Sequence, residues 1–132
     1  LLGLVGSEMC IRDSNSGDGG QMIFEPAVIK VSVGDTIHFK ATDAAHNSVS
    51  VDGMVPSGAA SWASQLSQDI SITLDKEGVY VYQCDPHLIM AMVGVIQVGE
   101  AVNMDEIKSA ASSYSSNFLM NNDRLQSYLS QL

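Results

Sequence analysis

The chain has 132 residues, 45% of them apolar, which is enough for one domain with a single core and too few for a second. Fifteen acidic against six basic side chains give a formal net charge of −9. That balance argues against nucleic acid and anionic membrane as partners, and no apolar run reaches the roughly 18–20 residues that span a bilayer.

Residues 1–6 are apolar, but the stretch is short and has no basic leader, so it does not read as a signal peptide. Residues 8–14, Glu8-Met9-Cys10-Ile11-Arg12-Asp13-Ser14, resemble the translation of a transposase adapter used in sequencing libraries. Residues 1–14 are therefore expected to be a non-native leader. Cys10 would then be incidental, no internal disulfide would be possible, and Cys84 would be the one thiol that needs a reason. A polar, turn-rich stretch follows over residues 15–20.

From about Gln21 to Val98 the pattern is that of strands. Residues 27–33 are β-branched and partly alternating, and Gly34-Asp35 then turns the chain. Residues 36–40 put Ile37 and Phe39 on one face, with His38 opposite as a surface or edge histidine. Residues 53–68 are rich in small residues, hold the only tryptophan, Trp62, and read as an irregular crossover with one helical turn. Residues 70–74, 79–84 and 93–98 complete a series of short strands that predicts an all-β Greek-key sandwich over residues 15–99. Residues 100–132 differ. Met104, Ile107, Ala111 and Tyr114 recur at helical steps, and Phe118, Leu119, Leu125, Tyr128, Leu129 and Leu132 predict a second amphipathic helix after the Asn121-Asn122-Asp123 break. Both apolar faces are expected to pack on the sandwich of a monomer rather than form a dimer interface.

The chemistry concentrates in residues 84–92, which offer the Cys84 thiol, the His87 imidazole and the thioethers of Met90 and Met92. Soft and borderline donors together suit copper, which must be stable in two oxidation states. Two imidazoles and a thiolate with a weak axial methionine form the donor set of electron-transfer copper sites. His46, in the loop after a strand, is the best candidate for the second imidazole, with Met92 as the axial donor. Structural zinc takes four Cys and His ligands, which the chain does not supply at sensible spacing. A three-ligand zinc site with an open position is conceivable, but the methionine favours copper.

The spacing Cys84-x-Pro86-His87-x-x-x-x-Met92 resembles the ligand loop of the cupredoxins, plastocyanins included. Residues 20–27, 33–36, 46–47, 53–56 and 90–94 are similar to the pseudoazurin pattern in particular, as are two C-terminal helices. The resemblance implies a small soluble blue-copper electron carrier, not an enzyme, with one copper per chain on His46, Cys84, His87 and Met92. It implies that Asn47 donates to the Cys84 sulfur or braces the ligand loops, and that Pro86 removes a backbone N–H near that sulfur. Met22 and Met90 would pack around the exposed edge of His87, in an apolar electron-transfer patch with Leu88 and Ile89. The implied location is the periplasm, and the implied partners are redox proteins such as a cytochrome c or a copper-containing nitrite reductase. The chain departs from the pseudoazurin pattern in its few lysines and in Asp43 and Asp85 within the ligand loops, which favours a partner with a basic patch. The competing reading on the same fold is a periplasmic copper chaperone or buffer.

Overall fold

A computed structural model of the chain describes residues 7–132. The strands are β1 (Glu8–Gly17), β2 (Gly20–Glu25), β3 (Val28–Val31), β4 (Thr36–Ala41), β5 (Val49–Ser50), β6 (Ile70–Thr73), β7 (Gly78–Gln83) and β8 (Val93–Val98). Two helices follow, α1 (Met104–Tyr114) and α2 (Arg124–Leu129). One sheet has the order β2-β1-β4-β6 and the other β3-β8-β7-β5. Each contains one parallel pair, β1 with β4 and β3 with β8. The expected β-sandwich with two C-terminal helices is thus the architecture.

The alternation of side chains along β7 and β8 sets the layers. Tyr80, Tyr82, Ile96 and Val98 face the opposite sheet and join Ile11, Phe24, Ile37, Phe39 and Trp62 in the core between the sheets. Val79, Val81, Val93 and Val95 point the other way, onto Ile107, Ala111, Phe118, Leu125 and Leu129 of the helical region. With both faces covered, these strands are apolar at nearly every position instead of alternating with polar residues. Asn103 fastens the start of α1: its Oδ1 accepts from the Val79 N–H at 2.7 Å and its Nδ2 donates to the Val79 carbonyl at 3.0 Å.

Three details differ from the sequence expectations. The turn-rich stretch at 15–20 shrinks to the two residues Asp18 and Gly19, because β1 and β2 form a tight hairpin around them. Residues 53–68 contain no helical turn. They are held instead by Trp62, whose Nε1 donates to Ser48 Oγ at 2.9 Å and whose backbone N–H donates to Ser50 Oγ at 2.9 Å. The second helix starts directly after the Asn121-Asn122-Asp123 break, as expected, but without Phe118 and Leu119: Phe118 is extended, Leu119 lies in a bend, and Asn121 takes a left-handed conformation just before α2. Of the leader, residues 1–6 lie outside the described residues, and residues 8–14 form most of β1, where Ile11 is buried. Cys10 is exposed and Cys84 buried, and neither is in a disulfide.

Candidate metal centre

The loop after β4 turns inward at Ala45, whose left-handed conformation is braced by the Ser67 hydroxyl accepting from its N–H. This turn buries the His46 side chain completely. Its Nε2–H donates to Asn15 Oδ1 at 2.8 Å, which leaves the Nδ1 lone pair free to face the interior. Asn15 is held by a neighbouring carboxylate, its backbone N–H donating to Asp43 Oδ2 at 2.7 Å.

Cys84 directly follows β7, and residues 85–90 coil into a 3-10 helix that carries His87. The loop closes on itself. The Cys84 N–H donates to the Met92 carbonyl at 2.9 Å, and the Met92 N–H donates to the His87 carbonyl at 3.3 Å. The result is a cluster of three donor atoms. His46 Nδ1 and His87 Nδ1 are 3.1 Å apart, and Cys84 Sγ lies 3.4 Å from the latter and 3.7 Å from the former. A triangle with those edges encloses a point about 2 Å from each corner, the length of a bond between a first-row metal ion and an imidazole nitrogen. Met92 is fully buried in the same core cluster as Cys84. The donors therefore fit a copper ion in both chemistry and spacing.

Burial biases Cys84 and His87 toward their neutral forms. Burial pushes the Cys84 thiol up, the Asp13 and Asp85 charges add to this, and the backbone N–H groups of Asn47 and His87 oppose it. Burial, then the proximity of His46, lowers His87. The sequence offered two roles for Asn47, and the structure divides them. Its side chain braces the loops, accepting from the Asp85 N–H at 2.8 Å and donating to the Ser64 carbonyl at 3.3 Å, while its backbone N–H faces the sulfur. Pro86 is exposed in the first turn of the 3-10 helix.

His87, Leu88, Met90 and Met22 are half-buried, and Ile89 is exposed. The backbones of Met22 and Met90 are tied to one side chain, both carbonyls accepting from Arg124 Nη1. The Leu119 N–H donates to the Ile89 carbonyl at 2.7 Å, so exposed Leu119 and Met120 extend the apolar surface beside the loop. Asn15, Arg124, Leu119 and Met120 are the residues around the site that sequence reasoning did not assign to it. His38 lies away from the cluster on β4, hydrogen-bonded to Ser71 and paired with Glu8.

Known proteins give the same picture. A family model for copper-binding proteins of the plastocyanin/azurin family matches residues 11–99. Pseudoazurin from Methylorubrum extorquens is 39% identical over 105 residues, covering 80% of this chain and 70% of the relative. The crystal structure of pseudoazurin from Methylobacterium extorquens AM1 superposes with a TM-score of 0.86 at 35% identity, covering 95% of this chain and 98% of that one. A mutant fern plastocyanin shares the fold at a TM-score of 0.52 and 22% identity, covering 68% of this chain and 99% of its own. The pseudoazurin likeness runs nearly the whole length of the chain, and so takes in the helices on which β7 and β8 rest. On that likeness and the family match together, the chain belongs to the plastocyanin/azurin family of copper-binding proteins, on its pseudoazurin branch.

Proposed function

We propose that His46, Cys84 and His87 are the three strong ligands of the copper ion of this small type 1 electron-transfer protein, and that Met92 is its weak axial donor. The observation that carries the assignment is the convergence of two imidazole nitrogens and a thiol sulfur within 3.7 Å of one another at a largely buried point. Copper bound there supplies a one-electron couple between cuprous and cupric states. The chain's own residues do the rest. Asn15 and Asn47 fix the ligand loops, and the buried His46, Cys84 and Met92 deny water access. His87, half-buried at the loop surface, is the route by which an electron leaves or enters.

Leu88, Ile89, Met90 and Met22 form the contact patch for a redox protein partner, with Pro86 beside it. The net charge of −9 and the ligand-loop acids Asp43 and Asp85 favour a partner with a basic rim, such as a cytochrome c or a copper-containing reductase. The pseudoazurin likeness supports a periplasmic location and a monomeric state. Residues 8–99 would form the copper-binding sandwich, β1 included, and residues 100–132 its helical support. We read the chain as a carrier and not an enzyme, because its only histidine outside the cluster, His38, is engaged by Ser71 and Glu8. A chaperone or buffer needs ligands open to exchange, and three of these four side chains are fully buried.

Stopped-flow mixing of the copper-loaded protein with a reduced c-type cytochrome tests the carrier reading. The visible band should bleach one-for-one with cytochrome oxidation. Failure to exchange electrons, or transfer of the copper itself to the partner, contradicts it.

A further inference from the structure

We infer that Arg124 is a positioning residue for the copper site, its guanidinium locking the end of the ligand loop against β2 and thereby setting Met92. This rests on the copper reading above. Arg124 opens α2, yet its side chain reaches across to the loop. Nη1 donates to the carbonyls of Met22 at 3.0 Å, Ala91 at 3.1 Å and Met90 at 3.4 Å, and Nη2 donates to that of Gln21 at 3.2 Å. Among the described residues no carboxylate pairs with it, so its contacts go to backbone carbonyls of β2 and of the loop. A planar, charged fork suits this task, because one rigid group fixes several acceptors in a set geometry.

The backbone around it has a conformation that needs such a clamp. Met22, Ala91 and Asn121 have φ of 50°, 57° and 56°, the left-handed region that side chains other than glycine disfavour. Met22 and Ala91 present their carbonyls to Arg124, and the Asn121 carbonyl accepts from the Arg124 N–H at 3.0 Å. Asn121 Nδ2 adds a second tie from the same turn, donating to the Met90 carbonyl at 3.2 Å. The β1–β2 ladder pairs Ser14 with Ile23 and Ser16 with Gln21 but skips Asn15–Met22 between them. At that rung Asn15 orients His46, while Met22 is held by Arg124. Ala91 immediately precedes Met92, so the clamp acts one peptide from the axial donor. Without it, Ala91 would relax and the thioether would lose its fixed approach.

The test compares wild type with Arg124→Gln and Arg124→Lys, and with Gln126→Ala as a control that disturbs α2 through its bond to Ser115 and not the loop. In the copper-free proteins, amide hydrogen exchange at Met92 should accelerate in Arg124→Gln, less so in Arg124→Lys, and stay unchanged in Gln126→Ala. In the copper-loaded proteins, Arg124→Gln should shift the reduction potential upward as axial donation weakens, change the relative intensities of the thiolate-to-copper bands, and release copper to a chelator about tenfold faster. Should Arg124→Gln not fold, Arg124→Lys carries the same comparison with the charge retained. Equal Met92 exchange and equal spectra in wild type and the arginine variants would overturn the inference, as would equal effects from Gln126→Ala. A wild type that exchanges as expected but gives no thiolate band contradicts the copper reading instead.

Discussion

At the scale of single residues, the site depends on groups that hold the ligands as much as on the ligands themselves. Asn15→Ala removes the acceptor for His46 Nε2, a nitrogen whose residue is fully buried. Because Asn15 itself is exposed, water can replace part of the bond, and the expected loss is about 1 kcal/mol in urea denaturation. Copper affinity should fall by about tenfold in a chelator competition, since the imidazole is no longer oriented. Acid acts on the partner imidazole. His87 sits below its ordinary value, so the folded chain binds that proton more weakly than the unfolded chain does. Stability of the copper-free protein should therefore hold above the ordinary histidine range and decline as pH falls through it. The urea midpoint at about pH 8 should exceed that at about pH 5, and His87→Gln should flatten the difference. Uptake of copper should also release a proton from the raised Cys84 thiol, measurable in weakly buffered solution.

At the scale of elements, the ligand loop was readable because its donors are close in sequence. Cys84, His87 and Met92 lie within nine residues on one strand-to-strand connection, and the strand β8 appeared at its observed bounds because β-branched residues fill it. The braces were not readable. Asn15 meets His46 across 31 residues, and Arg124 meets Met22 across 102, separations that only the folded topology closes. β1 was passed over because residues 8–14 resemble an adapter translation and residues 15–17 read as part of a turn, although Ile11 is buried in the core. The break at Asn121-Asn122-Asp123 marked the start of the second helix, but Phe118 and Leu119 were grouped with it because they share its apolar pattern, although they precede the break and Leu119 is 76% exposed beside the ligand loop. Packing between elements also makes a firm prediction. Gly94 lies opposite Tyr82 in the β7–β8 ladder, and a Cβ there would collide with the buried Tyr82 ring and hydroxyl. Gly94→Ala should lower the unfolding free energy by about 1–3 kcal/mol. Leu125→Ala, in the layer between α2 and the sheet, should cost about 2–5 kcal/mol by creating a cavity.

At the scale of the whole molecule, the sandwich and its helical layer build the cage, and the surface around it carries an excess of acidic side chains. A net charge of −9 should make encounter with a basic cytochrome fast at low salt, and the bimolecular rate should fall as ionic strength rises. We propose that this fold presents a formed copper site on His46, Cys84, His87 and Met92. Visible absorption titration of the copper-free protein with cupric ion, beside a Cys84→Ser control, is the decisive measurement. An intense thiolate-to-copper band that saturates at one equivalent and is missing from the control is the predicted result. A colourless complex, or the same colour in the Cys84→Ser protein, would contradict it.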